Sequence, residues 1–297
     1  MLAPIVLFVY NRPQHTLKTL EALARNSLAS SSELIIYSDG PKENNSKLDN
    51  QKIKVVRAII RTKKWCRTVD IIERDLNIGL ANSVIQGVTD ILNKYGKIIV
   101  LEDDIVTGNY FLTYMNHYLD ECVNAEKIFG ITGFSFSDDQ RLVQPYLLPI
   151  LSSWGWGTWS NSWKYFISDP TKFTNSIDRE KFNFGSYPYF EMLTDQLEGK
   201  VDSWAIRFYT SMFLQNGFFV YPPTPLVRNI GFDNTGEHCN DKNPFEVPDS
   251  IDHKSFNLNK VSIDKKIISI VKDDFYKKLR NPVPETMIKR LLNVFKI

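Results

Sequence analysis

Cysteine is scarce in this sequence. Cys66, Cys122 and Cys239 are odd in number, widely spaced and free of any CxxC pair, so neither a disulfide framework nor a thiolate zinc site is expected. A reducing cytoplasm is the simplest matching compartment. Long apolar runs are also missing: the longest, residues 4–10 and 98–101, fall far short of the roughly 20 residues a membrane-spanning helix needs. The opening MLAPIVLFVYNRP has neither a basic n-region nor a plausible cleavage site, so it reads as a buried first strand rather than a signal peptide. Charge of one sign is not in excess either. With 36 Lys+Arg and 34 Asp+Glu the formal charge is +2, a balance that argues against a protein that coats nucleic acid. Glycine and proline, 14 of each, are too few for a fibrous or low-complexity chain. What remains, 43% hydrophobic and 24% charged over 297 residues, can bury a large core in one α/β domain or two smaller ones.

The first hundred residues alternate. Short β-branched apolar runs at 5–9, 34–37, 69–72 and 98–101 are separated by helix-period segments, the pattern of a parallel sheet covered by helices. Pro13 opens the first helix, with Leu17, Leu20, Leu23 and Ala24 at helical spacing and Asn11 as its expected cap. A second helix runs through Ile53, Val56, Ile59 and Ile60. A third, entered by the turn Asn77-Ile78-Gly79-Leu80, carries Val84, Val88, Ile91 and Leu92. Each polar cluster sits at the carboxyl end of a strand, the edge at which open α/β sheets bind ligands. After about residue 105 the regularity fades into aromatic-rich sequence, with helices expected over 110–122 and 203–216.

Glu102, Asp103 and Asp104 follow the run IIVL directly. Three carboxylates there are costly unless something positive meets them, and a divalent cation is the usual answer. Hard oxygen ligands suit Mg2+ or Mn2+, which commonly bridge to nucleotide phosphates. A solvated acidic turn or a helix N-terminus is the plainer reading of an isolated triplet; the position after a fourth parallel strand favours the metal. The strings PIVLFVYNRP, YSDGPK and NIGLANSVIQGV, with KIIVLEDDI, resemble the nucleotide-sugar-dependent glycosyltransferases of the GT-A fold. Within that fold the EDD form of the DxD motif looks most like the inverting N-acetylglucosaminyltransferase I type and its bacterial relatives. The resemblance implies Asp104 as the metal ligand, with Glu102 and Asp103 as donor contacts. It puts Asn11 and Arg12 at the nucleoside end, Asp39 near the uracil, and Asn77 and Gly79 in the turn that closes over the nucleoside. It covers roughly residues 3–240 and implies a nucleotide-sugar-binding half at 1–105 and an acceptor half with a lid at 106–250; residues 251–297, polar and then basic, read as a C-terminal helical extension. Taken singly, Asp39-Gly40 is also a generic turn, Asn11 a generic cap, and Gly79 a carrier of positive φ.

Four of six tryptophans lie in SWGWGTWSNSW, residues 153–163, and a fifth is Trp204. Interleaved glycines would leave indole faces uncovered, and such faces pack on pyranose rings, which makes Trp154, Trp156, Trp159 and Trp204 candidate sugar contacts; a hydrophobic mini-core under a loop is the alternative. In VDSWAIR an acid precedes a helix with Ile206, Tyr209, Phe213 and Leu214 on one face. By the same resemblance Asp202 is the general base, which an inverting transfer needs to take the acceptor proton. Glu198 is its nearest rival, and helix capping its plainer role. The segment 225–239 has many turn formers and reads as a lid; the resemblance to GT-A enzymes, which often close a late loop over the diphosphate, implies His238 as a candidate metal or phosphate ligand and Arg228 as a candidate counter-charge for the leaving group. His15, His117 and His253 have no comparable context.

The expected activity is transfer of N-acetylglucosamine or a similar hexose from a UDP-sugar to a glycan acceptor. The sequence lacks the membrane anchor of the eukaryotic enzymes, so a bacterial cytoplasmic enzyme of surface polysaccharide synthesis fits better. A retaining transferase, or a non-catalytic carbohydrate-binding protein on a GT-A shell, would share many of these features. Residues 276–297 hold six Lys or Arg and one Glu, so the chain's charge balance conceals an acidic body. The amphipathic stretch 286–297 is expected either to touch an anionic membrane surface, where lipid-linked acceptors reside, or to pack on the body or a second subunit.

Overall fold

A computed structural model describes residues 1–137, 139–185, 187–233, 251 and 257–280. The alternation read from the sequence is realised as β1 (Ile5–Val9), α1 (Pro13–Ala24), β2 (Glu33–Ser38), α2 (Lys47–Ile59), β3 (Thr68–Glu73), α3 (Leu80–Tyr95) and β4 (Lys97–Glu102). These four strands are parallel, in the order β3-β2-β1-β4. All five side chains of β1 are buried, as helices covering both faces require. Pro13 does start α1, where its missing N–H costs nothing. Asn11 is not the cap, however: Arg12 occupies that position without a side-chain cap bond, and the Asn11 amide donates to Asp49 of α2 at 3.4 Å. Ser46 caps α2.

The second half adds β5 (Ile105–Thr107), α4 (Phe111–Glu121), β6 (Ile128–Thr132), β7 (Tyr146–Leu148), β8 (Trp156–Trp159), the short α5 (Ser160–Trp163) and α6 (Arg179–Phe182), α7 (Tyr189–Leu197), α8 (Trp204–Leu214), β9 (Phe218–Tyr221), β10 (Val227–Asn229) and α9 (Lys265–Arg280). It does not make a separate layer. β8 runs antiparallel between β4 and β6, so the two halves share one eight-stranded sheet ordered β3-β2-β1-β4-β8-β6-β9-β7. The fold is α/β, a mostly parallel sheet flanked by helices. β5 and β10 form a separate antiparallel pair that carries the chain back over the end of β4.

The tryptophan cluster fills the core. Trp156 and Trp204 are fully buried and stack at 4.7 Å between centroids with 20° between planes, while Trp154, Trp159 and Trp163 are also buried. The glycines between them do not uncover the indoles, contrary to the expectation. Gly157 leaves room for the neighbouring strand, since a Cβ there would lie 2.8 Å from the Ile98 carbonyl oxygen, and Gly155 sits at φ +60, which L side chains rarely adopt. The extension docks through α9, whose Val271 and Phe275 are completely buried; Phe275 meets Phe136 edge-on at 5.0 Å. The amphipathic stretch 286–297 lies outside the described residues. No helix among the described residues is long and apolar enough to cross a membrane.

Candidate functional site

Register builds the site. β1 and β4 pair in parallel with Phe8 opposite Glu102, so the residues following the two strands emerge side by side. That brings Arg12, at the start of α1, onto the acidic triplet. Its guanidinium pairs with the Asp103 carboxylate and lies 3.0 Å from Asp104 Oδ2. Glu102, Asp103 and Asp104 are all buried, and Thr19, further along α1, donates its hydroxyl to the Asp103 carbonyl at 2.8 Å. The positive group that the triplet demands is thus supplied, at least in part, by the chain itself.

The electrostatics follow from burial. Desolvation, reinforced by Asp104, pushes the Glu102 carboxyl up to about 8 against the opposing pull of Arg12, and the Trp204 indole hydrogen-bonds to it. Burial also raises Asp103, opposed chiefly by Arg12. For Arg12, desolvation works against the charge but the two aspartates outweigh it, holding its pKa above the ordinary value. Burial thus favours the protonated form of Glu102, in which the carboxyl can donate a hydrogen bond.

A strap crosses the triplet. Within the segment read as a lid, Leu226 and Val227 are fully buried, and residues 227–229 are strand β10, with Asn229 opposite Ile105. The Ile230 N–H then donates to the Asp104 carbonyl at 2.9 Å, and the Asn229 side chain accepts from the Gly231 N–H at 2.7 Å. A side chain on Gly231 would collide with the Asp104 carboxylate and approach Arg12. Phe232 packs on Trp154 at 5.9 Å. His15, one turn after Arg12, is buried with Nε2 3.2 Å from the Ile230 carbonyl oxygen and 3.3 Å from Asp233 Oδ2. Sequence reasoning assigned nothing to His15, Thr19 or Asn229; the helical spacing of His15 from Arg12 was the available signal. His238 lies outside the described residues, and Arg228 sits half-buried on β10.

At the next strand end, Asp39 clasps the 77–79 turn. Its Oδ1 accepts from the Gly40 and Ile78 N–H groups at 2.9 and 3.2 Å, and Oδ2 accepts from Gly79 at 3.2 Å. Asn77 donates to the Gly40 carbonyl at 3.1 Å, and Gly79 starts α3 at φ +81. The expected nucleoside-end residues Asn11, Asp39, Asn77 and Gly79 therefore line the same carboxyl edge as the triplet. Trp159 does not: it pairs with Lys97, at the opposite end of β4, and gives its indole N–H to the Leu119 carbonyl at 2.8 Å. Asp202 is exposed and paired with Arg207 at 2.5 Å, while the neighbouring Ser203 caps α8. Glu198 pairs with Lys200.

Asp104 Oδ1 is buried and accepts no hydrogen bond, so one carboxylate oxygen in the triplet is orphaned. Among the described residues no group of three acids, histidines or cysteines is arranged to enclose a metal. A single open carboxylate still fits Mg2+ or Mn2+, which are commonly held by one or two carboxylates with substrate phosphates completing the shell.

No protein-family model matches the chain, and no curated protein matches it in sequence. Among solved structures it is similar to S. aureus TarS, at 10% identity and a TM-score of 0.39 over 76% of this chain and 36% of TarS. It is also similar to mouse xyloside xylosyltransferase 1 in its apo form, at 9% identity and a TM-score of 0.36 over 71% of this chain and 81% of that one. The chain thus spans about a third of the TarS chain. The α/β assignment rests on the strand order and pairing described above.

Proposed function

We propose that this protein is a metal-dependent, inverting GT-A glycosyltransferase that moves N-acetylglucosamine or a similar hexose from a UDP-sugar to a glycan acceptor in surface polysaccharide synthesis. The observation that carries the reading is the orphaned, buried Oδ1 of Asp104, beside a fully built carboxylate cluster at the carboxyl edge of the central strand. A merely solvated acidic turn needs no such burial.

Asp104 would hold Mn2+ or Mg2+, whose charge when bound would favour departure of the nucleoside diphosphate. Glu102, in the protonated form that burial favours, would offer its carboxyl proton to a sugar hydroxyl, and the Trp204 indole hydrogen-bonds to it from the core. The clasped turn 77–79 and Asn11 form the nucleoside end. Asp202 takes the acceptor hydroxyl's proton as that oxygen attacks the anomeric carbon. Arg207 orients this carboxylate, and Asp202 lies just two residues before the tryptophan that supports Glu102. Arg228, on the strap, is a counter-charge for the leaving group. The stretch 286–297 would provide peripheral contact with anionic lipid, and vesicle co-sedimentation unchanged by its deletion would remove that part of the reading.

A panel of nucleotide-sugars screened for Mn2+-dependent hydrolysis tests the proposal. Turnover of a UDP-sugar that disappears in EDTA and in Asp104→Ala is the expected result; turnover retained in both would refute the metal role. Carbohydrate binding without hydrolysis of any donor would favour the non-catalytic alternative.

A further inference from the structure

Arg12 is set where a cation would be expected. It is the described side chain that bridges Asp103 and Asp104, it is shielded on one side by Gly231 of the strap, and its backbone carbonyl accepts both the N–H and the hydroxyl of Thr16, so α1 fixes its base. Only one of the four oxygens on the two aspartates, Asp104 Oδ1, is both buried and without a hydrogen bond. The cluster is therefore partly neutralised from within and has one coordination position left over.

We infer that Arg12 is the resident counter-ion of the donor site, a positioning residue that holds the Asp104 carboxylate in place before the donor arrives and yields its Oδ2 contact when a divalent cation binds. This rests on the metal-dependent reading above and adds the regulation of that site. Two consequences follow from charge alone. A guanidinium 3.0 Å from Asp104 Oδ2 opposes a second cation on the same carboxylate, so the metal binds weakly to the free protein. A nucleoside diphosphate adds negative charge and accepts the forked N–H donors that Arg12 releases, so metal and nucleotide favour each other's binding. An empty protein accordingly keeps its buried acids partly compensated without metal.

The test is calorimetric Mn2+ binding, with and without UDP, to the wild-type chain and to Arg12→Gln, with Arg12→Lys as the conservative variant. The expected result for wild type is Mn2+ affinity that rises at least tenfold when UDP is present. In Arg12→Gln, affinity for Mn2+ alone should rise at least tenfold and the gain from UDP should shrink, while Arg12→Lys should fall between. A substitution with a purely structural effect would lower binding, not raise it. Should Arg12→Gln fold poorly, Arg12→Gln/Asp103→Asn restores the charge balance and should show the same gain. Wild-type and variant proteins binding Mn2+ equally, each strengthened by UDP, would overturn the role of Arg12 and leave the metal reading standing. No Mn2+ binding to either protein, even with UDP, would overturn both.

Discussion

Replacing Glu102 with glutamine should make the protein more stable in mild alkali and flatten its stability between pH 5.5 and 8. The carboxyl ordinarily titrates at 4.5 but is pushed up to about 8 by burial and by Asp104. The folded state therefore holds a proton that the unfolded chain has lost. Where the folded state binds more protons, stability falls as pH rises; this contribution is fully present below about 4.5 and is lost as pH climbs through about 8. At about 1.4 kcal/mol per pH unit, the loss between pH 5.5 and 8 is on the order of 3 kcal/mol. Glutamine is nearly isosteric with the protonated acid, can still accept from the Trp204 indole and has no charge to bury. Urea unfolding of both proteins at several pH values would measure the difference. Asp103, also raised by burial, adds a slope of the same sign, so the curve of the variant should be flatter rather than flat. Parallel curves would refute the account of Glu102 as a carboxyl whose protonated form is favoured by burial.

Gly231→Ala, which sets a methyl group against the Asp104 carboxylate, should cost about 1–3 kcal/mol of stability in a thermal or urea melt and weaken Mn2+-dependent UDP binding more than it weakens the fold. Asp202→Asn should lower kcat of the transfer by about 10²–10⁴-fold while UDP affinity, measured by calorimetry, stays within about twofold of wild type by the differential-binding argument. Cys66 and Cys122, buried with thiols raised to about 12 and about 11, should resist alkylation in the native protein and react fully in denaturant, as peptide mass spectrometry after iodoacetamide would record.

The four parallel strands and the helices between them were legible because both rely on local signals: β-branched runs such as IIVL, Pro13 at a helix start, and apolar residues at helical spacing. β1 coincides with its run, and the other three strands extend theirs by a residue at either end, as with Lys97–Glu102 against the run 98–101. The burial of the triplet's end of β4 also followed from the run before it. What the sequence could not reveal was long-range pairing. Nothing local says that Val227–Asn229 returns to Ile105–Thr107, so that segment read as a lid where it is in part a strand. The tryptophans were misjudged for a related reason. Alternating Trp and Gly looks like an open face until β8 is placed between β4 and β6, with Trp156 against Trp204. Arg12 was legible as a residue of the site, but its partners were not, because they depend on the β1–β4 register that sets Phe8 beside Glu102.

The most direct test of the central claim is the affinity for UDP with and without Mn2+, measured by calorimetry on the wild-type chain and on Asp104→Asn. Metal-strengthened UDP binding in the wild type, lost in the variant while its melting temperature is retained, is what a donor site built on Asp104 predicts. UDP affinity that is indifferent to Mn2+, or equal in the two proteins, would contradict it.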